Sequence, residues 1–255
     1  MSSDAQWRKW AQTEPYFAVI VDEKFKKESL SANLDQFFAL GEKSIQALID
    51  RADKFCGPLG REKALDFGCG VGRLTMPLAR RFGSVVGVDI SSDMLKEAQR
   101  NCAGNGISNA QFVLSDDNLS QVSQQFDFVV TSMVLQHIPE DRGMQILNRL
   151  LESVKLGGCA AIHLSILRSD DTWTRIRYFI KHNFPVIDAL RNGLMGKGFS
   201  SLTMRMTEYD LAQVTKLFEA HDMAPIMVIP SYHVKILTCF LIAQKRVPDP
   251  AAEGP

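Results

Sequence analysis

The chain has 255 residues, 45% of them hydrophobic, enough for one large α/β domain or two small ones. Its 29 Lys and Arg balance its 29 Asp and Glu, and a formal net charge of zero argues against a dominant nucleic-acid surface, which leaves a basic excess. The five cysteines are odd in number and none sits at metal-ligand spacing, so they read as reduced thiols of a cytoplasmic protein, with neither a signal peptide nor a membrane span in the sequence.

The first thirty-odd residues mix aromatics (Trp7, Trp10, Tyr16, Phe17, Phe25) with charges. From Leu34 to Phe55 the apolar residues follow helical spacing, with a break expected at Gly41, and Gly57-Pro58 marks a turn. Strand and helix patterns then alternate: Ala64–Phe67 as a strand, Leu74–Phe82 as a helix, Ser84–Asp89 as a strand, Ser92–Asn101 as a helix, Gln111–Leu114 and Phe126–Thr131 as strands. Pro139 is expected at the first position of a helix running through Val154 and stopping at Gly157-Gly158, before a fifth strand at Cys159–Ser165. Such alternation predicts a parallel sheet covered by helices on both faces. The mixed-charge stretch from Arg168 to Arg205 breaks the pattern and reads as an inserted helical lid. Thr207 and Asp210 form a capping-box pattern for a helix through Phe218. Strands at Ile226–Ile229 and Val234–Gln244 are joined too closely for a crossover, so the last strand is predicted antiparallel. The fold class is thus α/β, Rossmann-like and doubly wound, with a seven-stranded, mostly parallel sheet. The expected domains are an N-terminal helical extension over 1–57, a main domain over 58–247 with the lid at about 168–205, and a disordered tail over 248–255.

The chemistry concentrates at Ala64–Thr75, ALDFGCGVGRLT. A buried strand runs into Gly68, Gly70 and Gly72, and a helix follows whose first N–H groups are expected to be free. The spacing is G-x-G-x-G, whereas the dinucleotide fingerprint places its last glycine one residue later. Asp66, at the mouth of the turn, would repel a pyrophosphate and suits a ligand with a cationic amine. Asp89, at the end of the next strand, can accept hydrogen bonds from a ribose diol.

These residues resemble the class I S-adenosylmethionine-dependent methyltransferases, in particular the small-molecule methyltransferase domain group. The glycine loop matches the first motif of that family, VVGVDIS from Val85 the second, FVLSDD at Phe112–Asp117 the third, FDFVVTSMVLQHIPED at Phe126–Asp141 the fourth, and LLESVKLGGCAAIHL at Leu150–Leu164 the helix, turn and strand that follow. The resemblance implies that Gly68, Gly70 and Gly72 line the methionine part of the cofactor, with Asp66 near its ammonium. It implies Asp89 on both ribose hydroxyls, Ile90 and Met94 flanking the adenine, Asp116 at the adenine amino group with Asp117 beside it, and Thr131 and Ser132 under the methionine moiety. The segments EPYFAVIVDEKF and LDQFFALGEKSI resemble the N-terminal pattern of members acting on glycans or other small natural products.

Two histidines are candidate general bases. His137 lies just beyond the fourth strand, where it either takes a proton from the acceptor or fixes the loop before Pro139. His163, near the end of the fifth strand, either faces the substrate or packs against a helix. Arg73 either approaches the cofactor carboxylate or is an ordinary residue of the first helical turn, and Cys69 reads as packing. The strand ends carry Thr131, Ser132 and Leu164 in place of a carboxylate cluster, so no metal is expected. In the lid segment the aromatic and basic residues suit recognition of a polar or anionic acceptor, against the alternative of an amphipathic helix packed on the domain. The expectation is methyl transfer from S-adenosylmethionine to an oxygen or nitrogen of a small molecule, a glycan among the candidates, leaving S-adenosylhomocysteine, with no nucleic-acid partner favoured. The alternatives are an RNA or protein methyltransferase, an inactive cofactor-binding partner subunit, and a nucleotide-dependent oxidoreductase.

Overall fold

The computed structural model describes residues 3–168, 206–233 and 236–248. The expected lid, apart from Arg168, and the tail beyond Pro248 lie outside them. Three N-terminal helices come first: α1 (Ser3–Thr13), α2 (Pro15–Val19) and α3 (Lys27–Cys56). Then follow β1 (Lys63–Phe67), α4 (Thr75–Ala79), β2 (Ser84–Asp89), α5 (Ser92–Gly104), β3 (Ala110–Leu114), β4 (Phe126–Thr131), α6 (Glu140–Glu152), β5 (Val154–Arg168), α7 (Leu211–Ala220), β6 (Met223–His233) and β7 (Ile236–Lys245). The strands form one seven-stranded sheet in the order β3-β2-β1-β4-β5-β7-β6. β1 to β5 pair in parallel, and β7 runs antiparallel between β5 and β6.

Alternation along the central strands splits the core into two layers. Leu65, Phe67 and Val129 face α6 and α7, packing with Leu147, Leu150, Val214 and Phe218. Ala64, Phe128 and Val130 face the other way, toward Ile45, Leu48 and Ala52 of α3 and Leu78 of α4. The strand order reverses beside β1, and its C-terminal edge is where open α/β sheets bind their ligands.

Four local expectations are corrected. Helix α3 continues through Gly41, because that glycine is buried against the backbone of Arg73 and tertiary packing outweighs its weak propensity. The first crossover helix is shorter than expected, Thr75–Ala79, although bonds from Leu78 to Leu74 and from Phe82 to Leu78 carry the helical winding across Leu74–Phe82. Pro139 is the N-cap of α6, and the helix ends at Glu152; Gly157, at φ 76°, lies within β5 where its register with β4 shifts. The capping box of α7 is not formed. Asp210 alone caps, its Oδ1 accepting from Ala212 N at 2.9 Å, while Thr207 pairs its N–H with the Gln136 carbonyl.

Candidate functional site

A cavity of about 960 Å³, counting the open solvent at its mouth, lies over the C-terminal ends of β1 and β2. Its floor is the glycine loop. Gly68, Gly70 and Gly72 have φ of 75°, 52° and 86°, in the left-handed region that side chains disfavour. A Cβ on Gly68 would lie 2.2 Å from Val134 Cγ2, and one on Gly70 would lie 2.8 Å from Val19 Cγ2. Gly68 and Gly70 line the cavity; Gly72 instead lets the loop meet Ala98 of α5.

Four N–H groups of the loop itself are turned inward. Gly68 and Cys69 both donate to the Val88 carbonyl, at 2.7 and 3.0 Å, and Gly72 donates to the Cys69 carbonyl at 2.9 Å. Gly70 donates to Asp89 Oδ2 at 3.0 Å. The left-handed glycines turn the chain back onto β2, and these four donors are spent inside the protein. A phosphate here would meet two carboxylates and find these four N–H groups already engaged, unlike the anion sites of dinucleotide-binding turns.

Asp66 ends β1, 1% exposed, with Oδ2 accepting from the Thr75 hydroxyl at 2.6 Å. Burial pushes its carboxyl up to about 6, helped by the nearby charge of Asp89 and opposed by Thr75 and Arg73. Asp89 ends β2 and also lines the cavity; burial pushes it up to about 6, against hydrogen bonds from Ser91, Gly70 and Ile90. Both acids are therefore costly to ionise until a cation or hydroxyl donor faces them. Arg73 lines the cavity beside Asp66, 7% exposed. Cys69 also lines it, but burial holds its thiol well above the usual range, so it is no poised nucleophile.

Of the remaining sequence candidates, Ile90, Met94 and Ser132 line the cavity. Thr131 ends β4 fully buried just outside the lining, with Oγ1 lacking a hydrogen-bond partner among the described residues. Asp116 lies outside the lining and accepts from the Asn118 and Ser120 N–H groups, each at 3.0 Å. Asp117 reaches the cavity only through Arg142, whose Nε donates to it at 2.7 Å. His137 is buried beneath the Trp7 ring, with centroids 5.0 Å apart, and its Nε2 lies 3.2 Å from Gln136 Nε2. His163 accepts from Met133 N at 3.3 Å through Nδ1 and packs on Phe240. Neither histidine ring is part of the cavity lining. Its bond instead steadies the turn after β4, where Met133 stands at φ 62°.

The sequence reading missed the cover of the cavity. Ser3, Asp4 and Trp7 of α1, with Ala18 and Val19 at the end of α2, form part of its wall. Arg142 of α6 holds α1 in place, donating to both Asp4 oxygens at 2.6 and 3.0 Å while its Nε grips Asp117. Ser3 Oγ donates to the His137 carbonyl at 2.7 Å. Below, Tyr16 donates to Glu97 of α5 at 2.7 Å and packs edge-on against Phe37 of α3. The signal available in sequence was Trp7 and Trp10 standing among charges, which marks a docked helix without saying where it docks.

Among the described residues no group of three or more His, Cys, Asp or Glu is placed to hold a metal ion, and no helix is long and apolar enough to cross a membrane. All five cysteines are free.

Residues 64–158 match the family model described as a methyltransferase domain. The fold resembles that of magnesium protoporphyrin IX methyltransferase (ChlM) from Synechocystis with bound SAH, at a TM-score of 0.62 and 18% identity, covering 95% of this chain and 99% of that one. It also resembles the N-terminal domain of EvdMO1 in the presence of SAH and D-fucose, at a TM-score of 0.56 and 16% identity, covering 81% of this chain and 83% of that one. Among curated proteins, the 23S rRNA (uracil(1939)-C(5))-methyltransferase RlmD of Methylococcus capsulatus is 42% identical over 69 residues, 27% of this chain and 16% of its own length. RlmD of Marinomonas posidonica is 28% identical over 149 residues, 56% of this chain and 33% of its own length. The chain thus spans a third or less of the length of the curated relatives it matches. Residues 64–158 are thus similar to a methyltransferase domain, on a fold shared with solved S-adenosylmethionine-dependent methyltransferases.

Proposed function

We propose that the chain is a methyltransferase that uses S-adenosylmethionine to methylate an oxygen or nitrogen of a small molecule. The observation that carries the reading is the glycine turn, with the N–H groups of Gly68, Cys69, Gly70 and Gly72 spent internally and two carboxylates, Asp66 and Asp89, lining the cavity. That arrangement repels phosphate and suits a ligand with an ammonium and a ribose diol. When bound, S-adenosylmethionine supplies an electrophilic methyl group on a sulfonium. Asp66 would hold the ammonium. Asp89, which lines the cavity at the end of β2, would accept from the ribose hydroxyls. Ile90 and Met94 would give the adenine its apolar walls.

Among the residues left over for an acceptor are Trp7, Met133, Val134, Ile138 and Ile146, with Arg142 and Asp4 already paired to each other. They give the cavity an apolar wall beside α1, which favours a small molecule over a macromolecular strand. Holding the acceptor in line with the sulfonium and keeping water out supplies much of the rate. His137 and His163 then act on the loop after β4, fixing the cavity wall, and the acceptor's proton passes to a group of its own or leaves to solvent once the methyl has transferred.

The test is radiolabelled methyl transfer from S-adenosylmethionine to panels of sugars, phenols and amines, with total RNA as a parallel acceptor. Turnover on a small molecule supports the reading. Turnover on RNA alone would replace it with the second reading, which the names of the curated relatives favour.

A further inference from the structure

We infer that Cys56 and Cys159 form an oxidisable pair, which hydrogen peroxide closes into a reversible disulfide tying the end of α3 to β5. The inference is independent of the cofactor reading, since neither cysteine lines the cavity.

The two thiols already touch. Cys56 ends α3, Cys159 stands in β5, and their sulfurs lie 3.9 Å apart across 103 positions of sequence. A disulfide needs the sulfurs about 2 Å closer. The partner free to move is Cys56, at the fraying end of a helix and directly before Gly57 at φ 85°. Cys159 is fixed, because its strand pairs at Phe128 of β4 on one side and at Gln244 of β7 on the other. The helix end can therefore close onto the sheet without disturbing the strand order.

The pair is asymmetric in the way a two-step oxidation requires. Of the five cysteines Cys56 alone is partly exposed, while Cys69, Cys102, Cys159 and Cys239 are buried. Peroxide reacts with a thiolate it can reach. The neighbouring Cys159 thiol lowers that of Cys56, against burial and the charge of Asp53. Cys159 itself is held well above the usual range by Cys56 and by burial. The Cys56 thiolate attacks one peroxide oxygen and the O–O bond breaks. The released hydroxide takes up the former thiol proton as water, leaving a sulfenic acid on Cys56. The Cys159 sulfur then attacks the Cys56 sulfur, the S–O bond breaks, and the hydroxyl departs with the Cys159 proton as a second water. Two thiols are oxidised to one disulfide and one peroxide is reduced to water. With Cys159 in contact, the sulfenic acid is consumed before a second peroxide carries it to the sulfinic acid.

The experiment exposes the purified, folded chain to hydrogen peroxide, alkylates the remaining thiols after unfolding, and maps crosslinked peptides by mass spectrometry before and after dithiothreitol. The expected product is a Cys56–Cys159 disulfide, with Cys69, Cys102 and Cys239 still open to alkylation and both crosslinked thiols restored by dithiothreitol. Cys159→Ala should leave a Cys56 sulfenic acid that dimedone captures. Cys56→Ser should leave the other four thiols unreacted over the same exposure. Because the bond closes so long a stretch of chain, the oxidised protein should melt about 5–10 °C higher than the reduced one. Three results would overturn the assignment. One is the absence of a Cys56–Cys159 crosslink. Another is a mixture of pairings like that from the urea-unfolded chain. The third is an oxidised protein that melts no higher than the reduced one.

Discussion

Asp66→Asn should stabilise the empty protein while weakening its affinity for ligand. Asp66 is 1% exposed and burial lifts its carboxyl from 3.8 to about 6. At about 1.4 kcal/mol per pH unit, ionised Asp66 therefore costs the folded state about 3 kcal/mol once the pH is well above 6. The sign follows from the raised value. Below about pH 4 the carboxyl is protonated in both the folded and unfolded chains and nothing is lost. Between about pH 4 and 6 the unfolded chain releases its proton first, so stability falls as pH rises; above about 6 the loss is complete and constant. An asparagine presents a neutral oxygen to the Thr75 hydroxyl and never ionises. Urea unfolding of wild type and Asp66→Asn at pH 4, 5, 6 and 8 should show a gap that opens over this window and reaches about 3 kcal/mol in favour of the variant. Titration at pH 8 should show S-adenosylhomocysteine binding the variant at least tenfold more weakly. A variant no more stable than wild type at pH 8, or a gap that does not depend on pH, would refute the idea that Asp66 is a buried charge held for a cationic ligand.

Gly68→Ala combines a left-handed backbone, which costs an alanine about 1–2 kcal/mol, with a Cβ 2.2 Å from Val134, so it should lower stability and abolish measurable S-adenosylhomocysteine binding. Adding Val134→Ala should return part of the stability, read by thermal unfolding; no recovery would mean the Val134 contact is not the obstacle. Arg142→Ala removes the clamp on Asp4 and should raise hydrogen exchange of the α1 amides about tenfold while leaving the exchange of β1 and β4 unchanged; protected α1 amides would show that the helix is held by its apolar contacts. His163→Ala frees the Met133 N–H and should weaken acceptor binding more than cofactor binding, seen as a raised KM for the acceptor, whereas a loss of turnover alone would restore His163 as a general base.

The sheet was legible because each central strand is a short apolar run ending in a turn residue, and because the short link between the last two strands forces an antiparallel return. The glycine turn was legible in position but not in its hydrogen bonding. Spacing shows that Gly68, Gly70 and Gly72 permit unusual backbone, yet only the fold shows that this backbone spends its N–H groups on Val88 and Asp89. Gly157-Gly158 misled for a related reason: glycines that end a helix and glycines that bend a strand are the same letters, and pairing with β4 decides between them. Gly41 was read as a helix breaker because its reason for being there, Arg73, lies 32 positions away in a separate element. The roof of the site was hidden for the same cause. Asp4 and Arg142 are separated by 138 residues, and nothing local in either segment announces the pair.

The most direct test of the central claim is calorimetric titration of the purified chain with S-adenosylhomocysteine, with NADH as the control ligand. The account predicts micromolar binding of S-adenosylhomocysteine, lost in Asp89→Ala, and no heat from NADH. Binding of NADH with none of S-adenosylhomocysteine would contradict it, because the glycine turn would then be accepting the pyrophosphate that its spent donors and buried carboxylates should exclude.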